Sequence, residues 1–116
     1  MSSAAIRAHV HDQITQAGVP VSLDPSTFFP DPIGALIGPI TRMEARTLDA
    51  FTVVVPVHVV STAQLDDELA NALFDAARAC AVALGAGEFT LDGWQTSANT
   101  ADLPAYLIEA IISWKD

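Results

Sequence analysis

The chain has 116 residues, of which 51% are hydrophobic and 16% charged, and its fourteen acids against five bases give a formal charge of -9. This composition excludes a disordered chain and suits one domain, residues 1–116, built around a single core. Because an acidic surface repels phosphate backbones, it also argues against specific nucleic-acid binding.

A membrane-bound or secreted protein is not expected either. The longest apolar stretch falls short of the roughly 20 residues that a transmembrane helix needs, and no basic region precedes an apolar core at the N-terminus. The single cysteine, Cys80, cannot form an internal disulfide, which fits a reducing compartment. We therefore expect a soluble chain with no signal peptide and no membrane partner.

An amphipathic helix is predicted over residues 3–17, with Ser2 or Ser3 as its cap and Gly18 at its end. Its apolar side chains recur at helical spacing: Ile6, Val10, Ile14 and Ala17. Residues 19–23 then form a short predicted strand.

A proline-rich connection follows over residues 24–32, which hold three prolines and show no periodicity. Phe28 and Phe29 are adjacent within it. Two interpretations stay open for these aromatics. They cover the edge of the subunit's own core, or one of them anchors the segment in a neighbouring subunit.

The second and third predicted strands are residues 33–41 and 48–60, with a polar hairpin tip over residues 42–46 between them. The third strand alternates between two faces. One face carries Phe51, Val53, Val55, Val57 and Val59, and the other carries Thr52, Val54, Pro56, His58 and Val60. Since both faces are largely apolar, we expect helices on one and a partner or a second layer on the other, which makes Val54 and His58 candidate interface residues.

A long helix is predicted after this strand. Ser61 and Gln64 match a capping box, acids occupy the first turns, and Gly85 and Gly87 end the helix. Its buried stripe comprises Leu65, Leu69, Leu73, Ala77, Cys80 and Leu84.

Two strands complete the prediction, over residues 89–96 and 104–114. Glu109 interrupts the apolar pattern of the last strand, so it either faces solvent or pairs with a basic group at a subunit boundary. The predicted fold class is α/β (α+β), a mostly antiparallel sheet of four to five strands with two helices on one face, in the order α-β-β-β-α-β-β.

No set of residues in the sequence calls for catalysis, a metal or a cofactor. Cys80 lies on the buried helix stripe, and His9 and His11 are two positions apart on a helix, whereas helical ligand pairs are three or four apart. The glycines match no phosphate-binding loop. We therefore expect no enzyme activity and no bound cofactor.

The order of elements, together with residues 52–62 and 104–114, resembles the small tail terminator proteins of long-tailed, siphovirus-type bacteriophages, most closely those of phages that infect actinobacteria. The resemblance covers nearly the whole chain. It implies an α/β subunit without catalytic residues that assembles as a ring of six, caps the finished tail tube and joins it to the head connector.

The resemblance also implies partners and a place in the virion. The partners would be further copies of the chain, the tail tube protein and the head-tail connector or stopper protein, with DNA as non-specific cargo in the lumen. Assembly would take place in the cytoplasm of the host bacterium, and the protein would then stay in the tail or neck. An acidic ring, with 6 × -9 = -54 formal charges, suits a channel through which DNA must slide.

Three alternatives stay open. The closest is a head completion or stopper protein of the same neck region. The others are a small ligand-binding or peptide-binding module, and a small enzyme with a pocket between the long helix and the sheet.

Overall fold

The computed structural model of the chain describes residues 2–28, 30–62, 66–94 and 103–115, with the backbone alone at 92–94. Its elements run in the order α1 (Ser3–Gln16), β1 (Val21–Ser22), β2 (Ile33–Ile37), β3 (Arg42–Ala45), β4 (Ala50–Ser61), α2 (Asp67–Leu84), β5 (Thr90–Trp94) and β6 (Leu103–Lys115).

The strands form one six-stranded sheet in the order β1-β2-β4-β6-β5, and β3 pairs with β4 beyond the end of β2. The pairing of β1 with β2 is parallel, and the other four pairings are antiparallel. The predicted α+β class is confirmed. The strand count of four to five was wrong, because the hairpin tip predicted at residues 42–46 is itself largely strand β3.

The long strands β4 and β6 form the centre of the sheet. They pair over their whole shared length, from Ala50 opposite Lys115 to Val60 opposite Ala105. Both carry β-branched and other apolar side chains at nearly every position, which favours a pleated strand with two covered faces.

Both helices pack on one face of this sheet, as predicted. The fully buried row of β4 consists of Val53, Val55, Val57 and Val59. The helix residues packed against it include Ile6, Val10 and Ile14 of α1 and Leu73, Ala77 and Cys80 of α2. All ten side chains are fully buried, so this face is the hydrophobic core.

The start of α2 differs from the prediction. Ser61 is the last residue of β4 and pairs with Ile33, and α2 begins only at Asp67. Gln64 lies outside the described residues. Asp66 is the cap instead, and its carboxylate accepts a hydrogen bond of 2.7 Å from the Leu69 N–H.

The other helix ends agree with the prediction. The Ser2 hydroxyl accepts from the Ala5 N–H at 3.1 Å and caps α1. Gly85 ends α2 in the left-handed conformation at φ 68°, which glycine adopts without steric cost. Within the described residues, no helix is long and apolar enough to cross a membrane.

Candidate functional site: the open face of the sheet

The sheet face opposite the helices is partly uncovered, and we call it the open face. Its cross-strand pairs between β4 and β6 are Thr52 with Ser113, Val54 with Ile111, Pro56 with Glu109, and His58 with Leu107. On β3, Arg42 pairs with Val54 and Glu44 with Thr52, which extends the open face across the hairpin.

The middle of the open face is apolar and partly exposed. Ile111 has 68% of its side chain exposed, and Val54, Pro56 and Leu107 are half-buried. Glu109 is exposed among them. A large aliphatic side chain left this accessible at the centre of a sheet marks a surface that gains by being covered.

One end of the open face is covered by the subunit's own proline-rich connection. A Cβ on Gly34 would lie 3.3 Å from both Phe28 Cε1 and Pro30 Cβ, so these two rings lie directly on the glycine. Val60 and Leu36, on the same face, are buried. The open face proper therefore begins near His58 and extends to the β3–β4 hairpin.

The proline-rich connection is held in shape locally at its start. Asp24 Oδ1 accepts from the Ser26 hydroxyl at 2.8 Å and from the Ser26 N–H at 2.9 Å. These hydrogen bonds lower the pKa of the Asp24 carboxyl below its ordinary value. This turn precedes the segment that places Phe28 over Gly34.

A shallow depression of about 580 Å³ lies at the hairpin end of the open face. Its lining comprises Thr41, Arg42, Met43, Glu44, Thr52, Val54 and Ile111. Charges of both signs, Arg42 and Glu44, border an apolar floor formed by Val54 and Ile111. Such a surface offers a protein partner both apolar area and charges that set orientation.

The structure brings together three of the five residues predicted as interface positions. Val54, His58 and Glu109 lie on the open face, on adjacent strands. Phe28 lies at its covered end over Gly34 of its own subunit, on the face opposite the hydrophobic core. Phe29 lies outside the described residues, and whether any of these positions contacts a neighbouring subunit remains a prediction.

Two features of the open face were not among the predicted site residues. Ile111 belongs to the same alternating row as Glu109, so the period of two in β6 was the signal that could have found it. The second is β3, whose Arg42 and Glu44 add charges to the face. Its sequence is polar and short, and no periodic pattern marks it as a strand.

Cys80 and His58 do not lie together as a nucleophile and its base. Cys80 lies in the core between α2 and the sheet, whereas His58 belongs to the open face, so the sheet separates them. Burial also raises the pKa of the Cys80 thiol to about 11. Among the described residues, no group of three or more potential ligands is placed to hold a metal ion.

No protein-family model matches this sequence, and no curated protein is similar enough to it to count as a relative.

Proposed function

We propose that this protein is a structural subunit of a bacteriophage tail or neck, a tail terminator that caps the tail tube as a ring and joins it to the head connector. The observation that carries the proposal is the open face, a sheet surface with Ile111 68% exposed at its centre. In the assembled ring, a neighbouring subunit or the tail tube protein would cover this surface.

The charge distribution supports the same role. The acidic chain suits a channel through which DNA must pass without binding, since like charges prevent adhesion to the phosphate backbone. Self-repulsion in a ring of such subunits must be offset by complementary contacts between neighbours. The mixed charges of Arg42, Glu44 and Glu109 along the open face supply groups suited to that purpose.

Deleting the gene from the phage or prophage that encodes it tests the proposal. A tail terminator stops tube growth, so electron micrographs of the deletion lysate should show filled heads without tails and tails of unregulated length. Tails of normal length, detached from heads that have lost DNA, would instead identify a stopper protein. Intact virions in the deletion lysate would contradict both roles.

Complementation with point variants links this phenotype to the open face. Ile111→Lys places a charge at the centre of the surface that we expect to be covered, and it should fail to restore tails of defined length. Arg78→Glu changes an exposed residue of α2, on the other side of the sheet, and should restore them. Full rescue by both variants would exclude the open face as the contact surface.

A further inference from the structure

A second exposed apolar surface lies at one edge of the sheet, on the side of the helices. Leu91 of β5, the last strand in the order of the sheet, has 58% of its side chain exposed, and Phe74 of α2 has 44%. The rings of Phe74, Phe89 and Tyr106 form a cluster, with centroids between 5.3 and 6.2 Å apart. Leu91 is the cross-strand partner of Tyr106, so its side chain lies on the same face of the sheet. We call these four residues the edge patch.

A cluster of exposed aromatic rings is characteristic of protein contact surfaces. Single exposed apolar side chains are common on soluble proteins and need no partner, whereas neighbouring ones are stabilised together when another surface covers them. Aromatic residues also contribute much of the binding energy at interfaces. The edge patch is therefore a candidate interaction surface in addition to the open face.

Carboxylates lie beside the edge patch. Asp67 is two helical turns before Phe74, on the same side of α2, and Glu88 lies in the segment that leads into β5. Both acids are exposed. Arg78 follows Phe74 by one turn, but Asp75 is its neighbour on the helix surface and offsets its charge. The surroundings of the edge patch are therefore acidic.

The hairpin end of the open face has the opposite charge. Arg42, Arg46 and Lys115 lie there, three of the five bases in the sequence. The acids beside them are Glu44 and, in the hairpin turn, Asp49, so these residues sum to 3 - 2 = +1 in a chain of formal charge -9. In the described part of the chain, none of the three bases forms a salt bridge within the subunit.

We propose that the edge patch of one copy packs on the hairpin end of the open face of the next copy. Phe74 and Leu91 of one copy cover Val54 and Ile111 of the other, which form the apolar floor of the depression at that end. The acids beside the edge patch then approach the bases around the floor. Apolar contact stabilises the pair, and the charges set its orientation.

The two surfaces lie on different sides of the subunit, so the contact is head to tail. The open face is opposite the helices, whereas the edge patch is on the helix side, at the edge formed by β5. Each copy can use both surfaces at once, and such a contact closes into a ring when the rotation between copies closes. This inference deepens the proposed function, and it rests on that function for the number of copies.

Mixing two defective variants tests the contact. Ile111→Lys disables the open face. Leu91→Lys puts a charge into the edge patch, at an exposed position of an edge strand, where lysine is common. Each variant alone should be a 12.2 kDa monomer with native circular dichroism. By native mass spectrometry, an equimolar mixture should give a dimer of 2 × 12.2 = 24.4 kDa and nothing larger, because one intact pair of surfaces remains.

A mixture that stays monomeric well above the concentration at which the parent forms rings would overturn the contact and leave the proposed function intact. Oligomers of either variant alone would also overturn it, because one surface would then suffice. A parent protein that forms no ring, alone or on purified tail tubes, would overturn both. The matched control is Val82→Lys, which changes an exposed apolar residue of α2 outside the edge patch and should form rings like the parent.

Cross-linking identifies the residues that meet. Lys115 is the single lysine of the sequence, and a carbodiimide joins its amine directly to a carboxylate in contact with it. Rings assembled from isotope-labelled and unlabelled protein should show a bond between copies from Lys115 to Asp67 or Glu88, and Lys115→Arg should abolish it. A bond to Glu109 of another copy, or no bond between copies, would overturn the proposed contact.

Discussion

Nη2 of Arg7 donates a hydrogen bond of 2.9 Å to the backbone carbonyl of Ile37. The same guanidinium donates to the carbonyls of Leu23 at 2.8 Å and Gly38 at 3.1 Å. One side chain thus joins α1 to the end of β2 and to the chain that follows β1. These three carbonyls lie at or beyond the ends of the paired strands. Arg7 therefore provides the hydrogen-bond donors that a neighbouring strand would otherwise provide.

Replacing Arg7 with Met should lower the free energy of unfolding by about 2 kcal/mol, because partly buried carbonyls lose a charged donor. Urea denaturation followed by circular dichroism measures the change. The control is Arg78→Met, an exposed position on α2, which should stay within about 0.5 kcal/mol of the parent. Equal stability of the two variants would show that the Arg7 hydrogen bonds contribute nothing.

Adjacent valines of β4 should respond in opposite ways to the same substitution. Val55 is fully buried on the core face, so Val55→Asp places an unpaired charge in the core and costs several kcal/mol, enough to unfold the subunit. Val54 is half-buried on the open face, so Val54→Asp should keep the native circular dichroism spectrum. A Val55→Asp variant that melts like the parent would show that the faces are assigned wrongly.

Cys80 should be inert in the native protein, because its side chain is fully buried in the core. An aromatic disulfide reagent at neutral pH should label it only after denaturant is added. Labelling of the native protein at the rate of a free thiol would place Cys80 at the surface instead.

The same thiol makes stability depend on pH. Burial raises its pKa from 9.0 to about 11, so the unfolded chain ionises first. The resulting stabilisation is complete below the unfolded pKa and is lost as pH rises through about 11. Between pH 9.0 and about pH 11, the free energy of unfolding of the parent protein should fall by about 2–3 kcal/mol more than that of Cys80→Ala. Urea denaturation at each pH measures the two values. Parallel pH curves for the two proteins would contradict this.

Phe28 should stabilise its own subunit, because its ring lies on Gly34. Phe28→Ser removes a half-buried aromatic and should lower the free energy of unfolding by about 1–2 kcal/mol. Thermal melting together with sedimentation distinguishes the two interpretations of this residue. Unchanged melting with loss of the assembled species would make Phe28 an anchor between subunits.

Strong periodicity made much of the fold predictable. The last strand was predicted over residues 104–114 and is Leu103–Lys115, because an apolar run of strand length, interrupted only by Glu109 before Ser113, marks it. The period of two also predicted which residues share a face within a single strand, such as Val54 with His58, whereas only the pairing of β4 with β6 places Glu109 beside them. Parts of the open face could therefore be recognised from the alternation of residues in the sequence.

What the sequence did not predict depends on pairing partners distant in the chain. Residues 42–45 are exposed and polar, and they form a strand only because β4 offers them a free edge. Ser61 matches a helix cap, but pairing with Ile33 keeps it in β4, and Asp66 caps the helix instead. The segment over Gly34 has no periodicity, so its position on the sheet could not be inferred.

The most direct test of the central claim is the mass of the purified protein by native mass spectrometry, with negative-stain images of the same sample. A chain of 12.2 kDa that forms a ring of six gives 6 × 12.2 = 73.2 kDa and particles with a central channel. Ile111→Lys should give the 12.2 kDa monomer with unchanged circular dichroism. A parent protein that remains monomeric at every concentration, and in the presence of purified tail tubes, would contradict the proposed ring.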